Sequence, residues 1–489
     1  MLGEAKQHLL PITSKRSRAF QSPNPAESAA AVWAPTGLNG SILGENDYDV
    51  VIVGARCAGA TLATFLARAG ARVLLLDKGA MPSDHVLSTH FISPPGMDVL
   101  DEAGVGEAVR SLAPQICVIR IKVDGKHLDL KLPEHRGGYC PRRKRLDGLL
   151  QRAADKAGAR FLDRARVVSL IQRDGRVRGV RAIIGDRERV FTAGLIVGAD
   201  GRHSTVAGLV GAEEYLDYDA PRATYWGYWN APSLWKTDSR YPFDAYFGLD
   251  GPEIRAIFPT DQDQLLIAGS PTIDQVGMWR ANPQRALRAA LDSDPITAAL
   301  VRDSYPDAKI CGTAKERFFF RRAAGSGWAL VGDAGHHKEF LLGDGITEAL
   351  IQARSLAVAI ENGTDVALAR WWRARDVEAL PLYFLGRIAA APERPVELQR
   401  VLFSRLPQQP ALMAQMAAVA DQRLSPFAAL SAPQVLSWIA AAAMRGRWRI
   451  IGETLGMGRH VFALDREMRA RCELLAETEA RSPLARKAA

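Results

Sequence analysis

The chain has little cysteine, and what it has is scattered. Cys57, Cys117, Cys140, Cys311 and Cys472 show no Cys-x-x-Cys pattern and no metal-ligand spacing. That argues against a disulfide framework and a zinc site, and points to a reducing, cytoplasmic setting. No apolar run reaches the roughly eighteen residues needed to cross a bilayer. The nearest, LSWIAAAAM at 436–444, reads as a buried helix, with an interfacial helix as the alternative because RGRWR follows it. Internal repeats are missing as well, which argues against a solenoid or propeller. The net charge is +9, yet basic residues cluster only at 15–18 and 142–145. Dispersed charge of this kind marks solvated surface and gives no reason to expect a nucleic-acid partner. The first 46 residues mix Pro, Ser, Ala and basic residues without a secretory apolar core or a small-residue cleavage site. They are expected to form a flexible tail, with an organelle presequence as the alternative.

What is present is enough for two or three domains: 489 residues, 47% of them hydrophobic. At 49–63 the chain reads DVVIVGARCAGATLA, an apolar run followed by a turn and then by helical periodicity in ATLATFLARAG. In a dinucleotide-binding turn of this type the first glycine makes the bend and the second admits the pyrophosphate. The third lets helix pack on strand. Those places hold Gly54, Arg56 and Gly59. A second strand, RVLLLD, ends at Asp77, about twenty residues on, where an acidic side chain meets a ribose hydroxyl. Lys78 follows it directly.

CVIRIKVDGKHLDLKL, at 117–132, alternates apolar and polar residues around Asp-Gly and predicts a hairpin inserted outside the parallel sheet. PRRKRLDGLLQRAADKAGARF predicts a helix between Pro141 and Gly158, followed by strands around VVSLIQ and VRGVRAII. From about 215 to 322, Trp, Tyr and Phe become frequent, in runs such as ATYWGYW and FDAYFGL. These read as antiparallel strands of a separate sheet with one helix near 283–291. Past about 365 the pattern is mostly helical.

Two further glycine-rich turns carry acids. LIVGADGRHSTVA sets Asp200 between Gly198 and Gly201 after a buried strand, and WALVGDAG sets Gly332 beside Asp333. LLGDGITEALIQA places Gly343 and Gly345 at a helix start, where free N–H groups and the helix dipole favour an anion such as a reduced flavin ring.

These three motifs, in this order, resemble those of flavoprotein monooxygenases of the para-hydroxybenzoate hydroxylase fold. The wider group of FAD-dependent oxidoreductases also contains geranylgeranyl reductases and flavin-dependent halogenases. The resemblance spans about 48–359. It implies an α/β protein: a Rossmann-like FAD-binding domain of the glutathione reductase type, with an inserted antiparallel β-sheet substrate domain and a helical C-terminal region. The implied division is FAD-binding at 47–210 and 323–362, substrate-binding at 211–322, and helical at 363–489.

By the same resemblance, Gly54 and Gly59 hold the ADP pyrophosphate, with Arg56 facing a phosphate or carboxylate, and Asp77 binds the adenosine ribose. Arg143 contacts the cofactor, and Asp200 belongs to a motif used for FAD and pyridine nucleotide. Asp333, beside Gly332, meets the ribityl chain, while Gly345 and Ile346, following the turn glycine Gly343, lie against the flavin pyrimidine edge. His90 and Thr89, in PSDHVLSTHF, are candidates to flank the flavin. Adjacent side chains diverge, so His336–His337 is not expected to bind a metal. Where the group commonly has Asp-Pro, this chain has Glu339–Phe340, and the Trp-x-Trp-x-Ile-Pro motif of tryptophan halogenases is missing.

The implied activity is an FAD-dependent monooxygenase using NAD(P)H and O2 on an aromatic or polycyclic molecule. Tyr225, Trp226, Tyr228, Trp229, Tyr246 and Phe247 are expected to wall its pocket. The alternatives are an FAD-dependent reductase or dehydrogenase of an isoprenoid-like substrate, with peripheral membrane contact, then a halogenase, then a protein that retains FAD without turnover. Asp244, Glu339 and Asp344 are candidate bases.

Overall fold

The computed structural model describes residues 46–83, 88–230, 243–249, 253–307, 309–429 and 432–480. The tail expected at 1–46 lies outside them except for its last residue, as do residues 84–87 of the PSDHVLSTHF segment.

The chain is mixed α/β, with parallel and antiparallel sheets. Strand Asp47–Val53 sits between Val73–Leu76 and Arg187–Gly198, parallel to both. Arg160–Leu162 and Trp328–Leu330 extend the sheet on either side. Residues Val50–Val53 and Val73–Leu76 are buried throughout, as expected for strands covered on both faces. Arg187–Gly198 takes two partners in turn within this one sheet. Its first half pairs antiparallel with Arg176–Ile184, and its second half joins the parallel core.

A seven-stranded sheet runs in the order Cys311–Thr313, Thr224–Asn230, Gln264–Ser270, Ile254–Pro259, Ala245–Gly248, Val118–Val123, Lys126–Lys131. The last two strands form a hairpin whose turn has Asp124 at φ 48° and Gly125 at φ 73°. Paired positive φ values are what an Asp-Gly hairpin turn requires. This hairpin joins the sheet through parallel pairing with Ala245–Gly248.

Side-chain alternation gives the sheet two distinct faces. Tyr225, Trp229, Tyr246, Leu265 and Ile267 pack with Trp279, Leu287 and Leu291 of the overlying helices. Trp226, Leu266, Ala268 and Phe258 pack on the opposite face with Phe91 and Ile116.

Glu214–Asp219 and Arg317–Arg321 leave this sheet and form a three-stranded one with His336–His337. Phe318 and Phe320 anchor it on Leu380, Tyr383 and Phe384 of helix Asp365–Ala389. Helices Val396–Arg405, Pro410–Ala420, Ala432–Ala443 and Arg449–Ala480 follow among the described residues.

Candidate active site

The C-terminal ends of the parallel strands open into a cleft of about 370 Å3, within the range of small-molecule sites. Gly54, Arg56, Asp77, Lys78, Arg143, Asp200, Gly332, Asp333, Gly343, Gly345 and Ile346 all line it. Gly59 and His90 are not among the lining residues.

The glycine-rich turn is built by contact. Gly54 has φ +109°, and a Cβ there would lie 2.3 Å from the Ala199 carbonyl oxygen. A Cβ on Gly59 would come within 1.8 Å of the Gly54 oxygen, so Gly59 serves the close approach of helix Cys57–Arg68 to the strand. Arg56 is the N-cap of that helix at φ −96°, extended backbone open to any side chain. This is why an arginine can stand at the middle glycine position. Its guanidinium donates to Ser83 Oγ at 3.0 Å. Asp77 closes the turn from the next strand, accepting the Ala55 and Gly79 N–H groups at 2.8 Å each.

Arg143 enters from helix Arg143–Lys156, held by Asp147 at 3.0 Å through both carboxylate oxygens. The Cys57 thiol donates to the same carboxylate at 3.3 Å. Burial pushes the Cys57 thiol well above its ordinary value, so it is a hydrogen-bond donor and not a reactive thiolate. Burial also raises the Asp147 carboxyl, against the pull of Arg143.

Asp200 lines the cleft with its carboxylate already engaged. It accepts from Ser204 Oγ at 2.5 Å and from Thr205 N at 2.6 Å, organising the start of helix Thr205–Val210. His90, fully buried at φ 61°, is bonded through Nε2 to the Tyr228 hydroxyl. Its neighbours Ser88 and Thr89 do reach the cleft.

Of the six aromatics expected to wall the pocket, Trp226 alone lines the cleft, with Thr224, Leu266 and Ala268 beside it. Tyr225, Trp229 and Tyr246 face the other way, because neighbouring strand residues point to opposite faces.

Asp244 is no base in this cleft. Its Oδ2 accepts the Cys117 and Val118 N–H groups at 2.7 and 2.8 Å. Asp344, buried and accepting from Gln422 at 3.1 Å, is also absent from the lining. Glu339 lines the cleft, and burial pushes its carboxyl up to about 7.

Residues 336–339 form a buried ionisable cluster. Burial opposes charge on His337, but Asp333 at 3.4 Å and Glu316 at 3.5 Å outweigh it and push the imidazole up to about 9. Burial, with Arg375 and Lys338 nearby, holds His336 well below its ordinary value. Lys338 is ion-paired to Glu348. Gln352 accepts the Gly332 N–H at 3.1 Å and meets His336 Nδ1 at 3.3 Å, tying the Gly332–Ala334 turn to helix Gly345–Glu361. Arg166, Lys338, Glu348 and Gln352 were not singled out from sequence. The signal for the last two is helical spacing from Gly345, which puts 348, 349 and 352 on its cleft-facing side.

Residues 47–361 match the family described as FAD binding domain, well over half of the chain. The chain belongs to this family. FAD is therefore its cofactor. Among curated proteins it is similar to Protein FixC of Escherichia coli K12, 33% identical over 176 residues, which are 35% of this chain and 40% of the relative. It is 34% identical over 172 residues to 6-methylpretetramide 4-monooxygenase of Streptomyces rimosus, covering 33% of this chain and 40% of the relative. These matches therefore span about two fifths of either relative. Among solved structures, OxyS anhydrotetracycline hydroxylase from Streptomyces rimosus superposes with a TM-score of 0.61 at 21% identity, over 77% of this chain and 76% of that one. At that identity the likeness is one of fold.

Proposed function

We propose that the chain is an FAD-dependent monooxygenase that draws electrons from NAD(P)H and an oxygen atom from O2 to hydroxylate an aromatic or polycyclic small molecule. The observation that carries this reading is continuity: one cleft contains both the glycine-rich cradle at Gly54 and the apolar wall at Trp226, Leu266 and Ala268. When bound there, FAD supplies the electron transfer and the oxygen chemistry.

The residues fit that cofactor. Gly54 leaves space that a Cβ would fill, and the first-turn N–H groups of helix Cys57–Arg68, with Arg56 and Arg143, make a positive cradle for a diphosphate. Each Asp77 oxygen accepts one backbone N–H and keeps lone pairs for a ribose hydroxyl. Gly343, at φ +77°, turns the chain into helix Gly345–Glu361. Gly345 and Ile346 of that helix start line the cleft, where free N–H groups of a first helical turn stabilise negative charge. Asp333 beside Gly332 suits the hydroxylated chain between the two ends of the cofactor. Trp226 offers a flat face to a planar substrate, and Leu266 and Ala268 exclude water beside it. The names of the two Streptomyces rimosus relatives, a pretetramide monooxygenase and an anhydrotetracycline hydroxylase, support a polycyclic substrate class.

The test is a panel of phenolic and polycyclic compounds offered to the flavin-loaded protein with NAD(P)H and isotopically labelled O2. The reading expects substrate-stimulated NAD(P)H consumption and label in the product. Turnover that saturates or desaturates a substrate without incorporating label would reject it in favour of a reductase or dehydrogenase.

A further inference from the structure

Among the described side chains of helix Arg449–Ala480, one set is buried and another is exposed. Ile450 packs with Trp438, Ile439 and Ala442, and Leu464 packs with Leu380, Tyr383 and Phe384. On the outer side are Trp448, just before the helix, then Ile451, Leu455 and Phe462, exposed by 65, 40, 58 and 69%. Spacings of three, four and seven residues put them on one stripe. Met444, in the preceding turn, is 80% exposed. These five make the densest run of exposed large apolar side chains among the described residues.

Among the described residues, the exposed charges along the stripe are arginines, and Glu467 beyond it is paired with Arg387 at 3.6 Å. Arg445, Arg449, Arg459 and Arg466 are exposed, and the last two continue the same helical face. Glu453 is only partly exposed, and it accepts the Glu397 and Leu398 N–H groups at 2.7 and 3.1 Å. Apolar and aromatic side chains flanked by arginines match the boundary of an anionic bilayer, where rings and aliphatic groups enter the acyl region and guanidinium groups meet phosphate. A second copy docked on this face would oppose like charges.

We infer that this face docks the protein on the surface of an anionic phospholipid bilayer. Among the described residues no helix is long and apolar enough to cross a membrane, so the attachment is peripheral. It also places the protein where apolar substrates concentrate.

The test is flotation of the full-length, flavin-loaded protein with vesicles of equimolar phosphatidylglycerol and phosphatidylcholine, and with phosphatidylcholine alone. The protein is expected to float with the anionic vesicles and to be released by high salt. Trp448→Ser with Phe462→Ser lowers partitioning at least tenfold. Arg449→Gln and Arg459→Gln each lower it about fivefold on anionic vesicles. Unchanged flavin absorbance and thermal midpoint certify that each variant is folded. Failure to float with anionic vesicles would overturn the inference, as would flotation that ignores both sets of substitutions. Concentration-dependent self-association abolished by Trp448→Ser would assign the face to a second copy instead.

Discussion

Replacing His337 by Gln should remove a defined part of the protein's pH dependence. The imidazole lies between Asp333 Oδ2 at 3.4 Å and Glu316 Oε2 at 3.5 Å, and these carboxylates push it up to about 9 from an ordinary 6.5. Because the folded value is the higher one, the stabilisation is fully present below 6.5 and is lost as the pH rises through about 9. At about 1.4 kcal/mol per pH unit this is at most about 3 kcal/mol, reduced by water around the exposed side of Asp333. Glu339, pushed up to about 7 by burial against the pull of His337, contributes with the same sign at lower pH, so the His337 step is read on the alkaline side of it. The assay is urea unfolding of both proteins from about pH 6 to about pH 10. The stability advantage of the wild type should shrink by up to about 3 kcal/mol across that range. Parallel curves for the two proteins would refute the reasoning. In isotope-labelled histidine spectra, the resonance lost in the variant should titrate near 9.

Other substitutions probe the cradle and the wall. Asp147→Leu strands a buried guanidinium and should cost about 3–5 kcal/mol in urea unfolding, whereas Cys57→Ser should cost under about 1 kcal/mol because a hydroxyl can replace the thiol donor. Cys57 in the native protein should resist thiol reagents, and rapid labelling would contradict its burial. Trp226→Ala should raise KM for an aromatic substrate about tenfold with flavin absorbance unchanged. Lost flavin would show instead that Trp226 supports the cradle.

The parallel core was legible in the sequence because strands buried on both faces are continuous apolar runs, as in VVIV and VLLL. The turns were legible for a related reason: Gly54, Gly332 and Gly343 take positive φ, a constraint that leaves its mark as glycine. What a strand faces was less legible. ATYWGYW announces a strand, but only register against Gln264–Ser270 tells which alternate set turns to the cleft. Asp200 was recognisable as a strand-end acid, yet its engagement with Ser204 and Thr205 depends on the helix that follows it. The Lys338–Glu348 and His337–Glu316 pairs join segments brought together by packing, which no local motif encodes.

Equilibrium FAD binding to the wild type, Gly54→Ala and Gly277→Ala tests the central claim most directly. A Cβ at Gly54 meets the Ala199 carbonyl and forces a side chain into φ +109°, whereas one at Gly277 meets nothing within 4 Å. Strain of about 1–3 kcal/mol at the cradle predicts one FAD per chain, bound at least tenfold more weakly by Gly54→Ala and with unchanged affinity by Gly277→Ala. If Gly54→Ala binds FAD as tightly as the wild type, the cofactor does not lie in this cleft.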